Sequence, residues 1–213
     1  MSKRIILLLL LFCVICLASC GADESVSEDV SEGSEESKVT TSEDALGHES
    51  AYLSVDLFQF SLQIDEEVYK LPMLQNSFIS DGWSISGNDV QTLKAGYIES
   101  ATLSKGETTF DIQVINPTKK ELSFAECPVG RLSYDFSGTA QIYIADNFLL
   151  NDATKASITE KYGEPETTET HSDFSEITYG SRKTTGNYAK YLFRFDKSGK
   201  IIYFSIVNHY MSD

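Results

Sequence analysis

A sharp break in composition near residue 50 decides which part of this 213-residue chain can fold. Residues 5–18 form an unbroken apolar run of fourteen, led by Lys3 and Arg4. A membrane-spanning helix needs roughly 20 such residues, so the run fits the positive start and apolar middle of a secretory signal. Its other reading, an uncleaved membrane anchor, meets that shortfall in length. From Gly21 to Ser50 the chain turns to Ser, Glu, Asp and Thr, has no aromatic residue and sets ten acids against Lys38. Such a stretch cannot bury enough apolar surface to offset the entropy of ordering it. Residues 20–50 are therefore expected to be a disordered tether, extended by self-repulsion beyond the roughly 30 Å of an uncharged coil. A specific acidic binding tail is the competing reading. Core formation is left to residues 51–213, long enough for one domain.

The signal ends in Leu17-Ala18-Ser19-Cys20, an aliphatic residue, two small residues and a cysteine. This resembles the lipobox of bacterial lipoproteins and matches it at all four positions. The resemblance implies a diacylglycerol thioether on Cys20, cleavage before it, and residues 1–19 as the removed signal peptide. Two acyl chains anchor stably where one binds only marginally. The implied location is the extracytoplasmic face of the cell membrane, with the lipid on Cys20 as the membrane contact.

Cysteine usage agrees. Of four cysteines, Cys13 and Cys16 lie in the signal, the lipobox resemblance puts the lipid on Cys20, and Cys127 alone remains. No disulfide can then form within the mature chain. Cys127 sits in the strand-like stretch Phe124-Ala125-Glu126-Cys127-Pro128-Val129, and free cysteine is among the most buried residue types. It is read as structural, against a catalytic or intermolecular thiol.

Charge restricts partners. The net charge is −15, and losing Lys3 and Arg4 takes it to −17. Nucleic acid and an anionic membrane surface both call for a basic patch, so nucleic acid is not an expected partner.

Within 51–213, Phe58, Phe60, Leu62 and Ile64 alternate with polar residues and predict a strand. Pro72 to Ile79 predicts a short helix stopped by Gly82. Residues 97–104 and 109–115 flank Lys105-Gly106-Glu107 and predict a hairpin. The second half runs in the same order. A strand at Gln141–Ile144 precedes a helix at Thr154–Tyr162 with a capping Thr and a Gly163 stop. A strand near Ile177–Tyr179 follows, then a hairpin of 188–195 and 201–207 around Asp196–Lys200. The expected fold is α+β: an antiparallel sheet with two short helices, in two tandem related αβ units at about 51–135 and 136–213.

The helix from Thr154 to Pro165, the strand after it and Phe193 to Lys200 together resemble one repeat of the β-lactamase-inhibitor-protein-like fold. They are similar also to the small lipoproteins of the outer-membrane barrel-assembly machinery. The tether looks like that of Gram-positive surface lipoproteins. These resemblances imply helices packed on an antiparallel sheet, work by protein–protein contact, and no cofactor.

Residues that carry chemistry are few. His48 lies in the tether, His171 in a polar loop and His209 at a strand end. No serine-hydrolase elbow, zinc-protease, paired-cysteine or phosphate-loop motif occurs, so no catalytic residue is assigned. Glu164, Glu166, Glu169, His171 and Asp173 could ligate Ca²⁺ through oxygen, or form a solvated connection. Trp83, Tyr179, Tyr188, Tyr191 and Tyr203 are candidates for a recognition face, with strand-core packing as the alternative. The expectation is a non-enzymatic surface lipoprotein that contacts a protein or envelope partner. A ligand- or ion-sensing lipoprotein is the second.

Overall fold

The computed structural model describes residues 53–180 and 188–209. The signal segment 1–19, the tether 20–50 and Cys20 lie outside the described residues.

In chain order the strands of the first part are β1 (Ser61–Ile64), β2 (Glu67–Lys70), β3 (Met73–Leu74), β4 (Ser84–Ser86), β5 (Thr92–Leu93), β6 (Ile98–Lys105), β7 (Thr108–Ile115) and β8 (Leu122–Ser123). There follow β9 (Pro128–Tyr134), β10 (Ile142–Ile144), β11 (Phe148–Leu149), β12 (Thr167–Thr170), β13 (Ser175–Tyr179), β14 (Tyr188–Phe195) and β15 (Ile201–His209). The helices are α1 (Gln75–Ser80) and α2 (Lys155–Tyr162), with 3-10 turns at Leu57–Gln59 and Phe124–Glu126.

Nine strands make one antiparallel sheet in the order β12-β13-β14-β15-β9-β7-β6-β4, with β3 added on β9. A four-stranded sheet runs β11-β10-β1-β2, and β5 pairs with β8. Period-2 alternation builds the large sheet. Tyr191, Phe193 and Phe195 of β14, Phe204 and Ile206 of β15, Leu132 and Tyr134 of β9, and Phe110 and Ile112 of β7 are all buried. They share one core with Leu62 and Ile64 of β1, Ile142 and Ile144 of β10, and Ile158 of α2. Phe60 stacks on Tyr191 at 5.4 Å between ring centroids, and the Tyr191 hydroxyl donates to the Ser61 carbonyl at 3.4 Å.

The expected α+β class is corrected: 49% of the described residues are strand and 13% helix, a β-rich fold. The cause is element length. α1 has six residues and α2 eight, too few turns to form a helical layer, whereas β6, β7, β14 and β15 each span eight or nine. Two separate αβ units do not form either. β1 pairs with β10 from later in the chain, and β15 pairs with β9, so strands from both parts join edge to edge in both sheets.

The predicted helix at Thr154–Tyr162 is α2, and local chemistry explains its ends. Thr154 Oγ1 accepts from the Ser157 amide at 3.2 Å, while Ser157 Oγ accepts from the Thr154 amide at 2.9 Å. Gly163, at φ 81°, ends it with a conformation L side chains rarely adopt. The strand expected from Phe58 begins only at Ser61. Asp56 caps a 3-10 turn through the Phe58 amide at 2.9 Å, and Phe60 takes a left-handed φ of 52°.

Candidate functional site

The same alternation that buries one side of the large sheet leaves its other side polar. Along β14 that side carries Tyr188, Lys190, Leu192 and Arg194, and cross-strand register sets Leu192 beside Ser205 and Arg194 beside Tyr203. β9 adds Arg131 beside Val207 and Ser133 beside Ser205, and β7 adds Gln113 beside Arg131 and Asp111 beside Ser133. Two shallow depressions of about 290 and 280 Å³ adjoin on this face, sharing Gln113 and Arg131.

Arg131 is the centre of a hydroxyl network. Its Nε donates to Ser133 Oγ at 2.9 Å and Ser205 Oγ at 3.1 Å, and its Nη2 to the Tyr203 hydroxyl at 2.7 Å. The two serine hydroxyls bond to each other at 3.0 Å, and each serine is only 2% exposed. A half-buried guanidinium is thus fixed in orientation by three neutral oxygens. Among the described residues it pairs with no carboxylate.

Arg194 is held differently. Its Nε and Nη2 both reach Glu176 Oε1 at 2.7 Å, and its guanidinium lies 4.3 Å from the Phe174 ring centroid and 5.1 Å from that of Tyr203. Tyr203 therefore meets both arginines, Arg131 through its hydroxyl and Arg194 through its ring. Lys190 lies 5.2 Å over the Tyr188 ring. Tyrosine faces and arginine stack favourably, which stiffens long side chains that would otherwise sample many rotamers.

His209 closes one end of the face. It is 9% exposed, and its Nε2 has no hydrogen-bond partner among the described residues. Burial, with the Arg131 charge as a smaller cause, holds its pKa below the usual 6.5, so the ring is neutral at neutral pH.

The other sequence candidates scatter. Cys127 is fully buried, its Sγ donates to the Ser123 carbonyl at 3.4 Å, and burial raises its pKa, with Glu126 adding to the rise. Of the loop acids, Glu169 lies 3.6 Å from His171 Nε2, and Glu176 joins them within 4.8 Å. Asp173 pairs instead with Lys197 at 3.4 Å, and the Glu176 carboxylate is already engaged by Arg194. Among the aromatics Trp83, Tyr179 and Tyr191 are buried, and Trp83 Nε1 donates to the Tyr69 hydroxyl at 3.0 Å. Tyr188 and Tyr203 stand on the polar face. His48 lies outside the described residues.

Sequence reasoning did not single out Arg131, because it did not recognise β9 as the strand that joins the two long hairpins. The usable signal was the alternation in Gly130-Arg131-Leu132-Ser133-Tyr134, with Leu132 and Tyr134 facing the core. Compared with known proteins, the chain matches no family model, no curated protein and no solved structure.

Proposed function

We propose that this chain is a bacterial surface lipoprotein, anchored through lipid on Cys20, whose domain contacts a protein or envelope partner through the open face of the large sheet. The observation that supports the reading is the make-up of that face. It gathers Arg131, Arg194, Tyr188 and Tyr203, residue types that dominate binding hot spots, over a floor of ordered strands. Arginine and tyrosine fixed by stacking and hydrogen bonds lose little further entropy when a partner arrives.

The depressions are shallow and open, and at about 290 and 280 Å³ they sit at the lower end of the roughly 300–1,000 Å³ of ordinary small-molecule pockets. That favours surface contact over capture of a small molecule. The anchor half of the proposal rests on the lipobox residues alone.

Two experiments test the halves separately. Cys20→Ala should abolish acyl labelling and stop maturation of the precursor; retained labelling removes the anchor. A photo-crosslinking residue at position 192 on the face should trap a defined partner on intact cells, while one at position 79, exposed on α1, should not. Equal capture from both positions removes the face as the contact surface.

A further inference from the structure

Counting donors and acceptors around Arg131 specifies what the face lacks. Arg131 spends its Nε proton and one Nη2 proton on hydroxyl oxygens. A guanidinium has five N–H protons, so the edge away from Nε still has donors to place. Tyr203 accepts from Arg131, which leaves its own hydroxyl proton to be given. Of the two serine protons, one closes the Ser133–Ser205 bond and the other remains. Among the described residues none of these protons has an acceptor. The acids on this face are Glu176, committed to Arg194, Glu169, which lies on β12 opposite Glu176, and Asp111, which lies on β7 opposite Ser133. His209, nine-tenths buried with Nε2 unpartnered, lines the same depression and supplies no negative charge. The corner thus holds a guanidinium with donors to spare and no carboxylate paired to it among the described residues, with Gln113 and Asp111 beside it on β7, in a chain of net charge −15.

We infer that the Arg131 corner receives a carboxylate presented by a protein partner, seated against the free edge of the guanidinium and bonded by the Tyr203 hydroxyl. The inference rests on the reading of this face as the contact surface. A planar carboxylate fits a guanidinium edge with two parallel hydrogen bonds. A single negative charge matches a corner whose serines and tyrosine are neutral, and a doubly charged phosphate would meet more repulsion from the acidic chain. Leu192 and Val207, beside Tyr188, give the aliphatic stem of an Asp or Glu an apolar bed.

The test uses the full-length chain labelled uniformly with ¹⁵N, whose four arginines, Arg4, Arg131, Arg182 and Arg194, give few guanidinium side-chain signals to assign. N-acetylglycine is titrated as the carboxylate and inorganic phosphate as the rival, at matched ionic strength. The expected result is a saturating shift at the Arg131 Nε–H and the Ser133 and Ser205 amides, with N-acetylglycine about tenfold tighter than phosphate. Tyr203→Phe should weaken the carboxylate several-fold, and Arg131→Lys, followed at the serine amides, should remove saturation. Tighter phosphate binding, or linear shifts with both ions, overturns the inference. If position 192 still crosslinks a partner while N-acetylglycine does not bind, the contact surface stands and the carboxylate falls. If N-acetylglycine binds while position 192 captures nothing, the contact reading falls and the carboxylate corner remains.

Discussion

Gly130 and His209 are packed so closely that a β-carbon on Gly130 would sit 2.8 Å from His209 Cδ2, and 3.0 Å from Ile115 Cγ2. The missing side chain of β9 is what lets the imidazole reach its buried position at the end of β15. Arg131 follows Gly130 directly, so the same strand supplies both the space for the histidine and the cation beside it.

Gly130→Ala should therefore destabilise the domain. In an open strand the change would help slightly, because alanine loses less backbone entropy on folding. Here the added methyl overlaps a buried ring, a type of overpacking that costs about 1–3 kcal/mol. Urea unfolding should show a lower midpoint with unchanged slope, and the His209 ring signals should move. An unchanged midpoint contradicts the packing described.

Ser133 and Ser205 should behave as a coupled pair. Each is buried and bonded both to the other and to Arg131, so replacing either with alanine leaves polar atoms short of a partner, at about 1–2 kcal/mol. A double-mutant cycle should give a coupling of at least about 0.5 kcal/mol. Simple additivity would show that the hydroxyls act independently.

Acid should weaken the fold through His209. Its pKa is lowered in the folded state from 6.5, so the unfolded chain binds the extra proton first. The stability is whole above the unfolded pKa and is lost as pH falls through the lower, folded value. Unfolding free energies measured at about pH 7.5 and about pH 5.5 should differ in the wild type, and less in His209→Gln. Asp135 and Asp196, whose pKa values are lowered by hydrogen bonds from Ser137 and Ser198, act only in more acid solution, below 3.8.

Cys127 should be inert. It has no exposed surface, and burial holds its pKa above the usual 9.0, so little thiolate is present to react at neutral pH. Iodoacetamide should leave it unmodified in the native protein and alkylate it fully in denaturant. Rapid native labelling would place the thiol at the surface.

Local chemistry made much of the strand pattern legible in advance. The hairpin of β6 and β7, the hairpin of β14 and β15, and α2 between Thr154 and Gly163 all stand where alternation and capping place them. What escaped is non-local. The partnership of β1 with β10 and of β15 with β9 depends on strands distant in sequence, and no spacing along the chain announces it. The matching order of elements in the two parts suggested separate units, and the shared sheets replace them. The site was hidden for the same reason. Arg131, Ser133, Tyr203 and Ser205 meet only once β9 lies beside β15, and the half-buried Arg131 is unremarkable in sequence. Tyr188 and Tyr203 were visible as candidates, but Trp83, Tyr179 and Tyr191 were equally so, and only the direction of each side chain separates the groups.

The claim on which the functional account depends is that the open sheet face, and no other, meets a partner at the cell surface. Hydroxyl-radical footprinting on intact cells, compared with the purified chain, measures this directly. The account predicts that Tyr188 and Tyr203 lose reactivity on cells while Tyr97, exposed at the start of β6, and Tyr143 of β10 keep theirs. Unchanged Tyr188 and Tyr203, or protection of Tyr97 and Tyr143 instead, would contradict it.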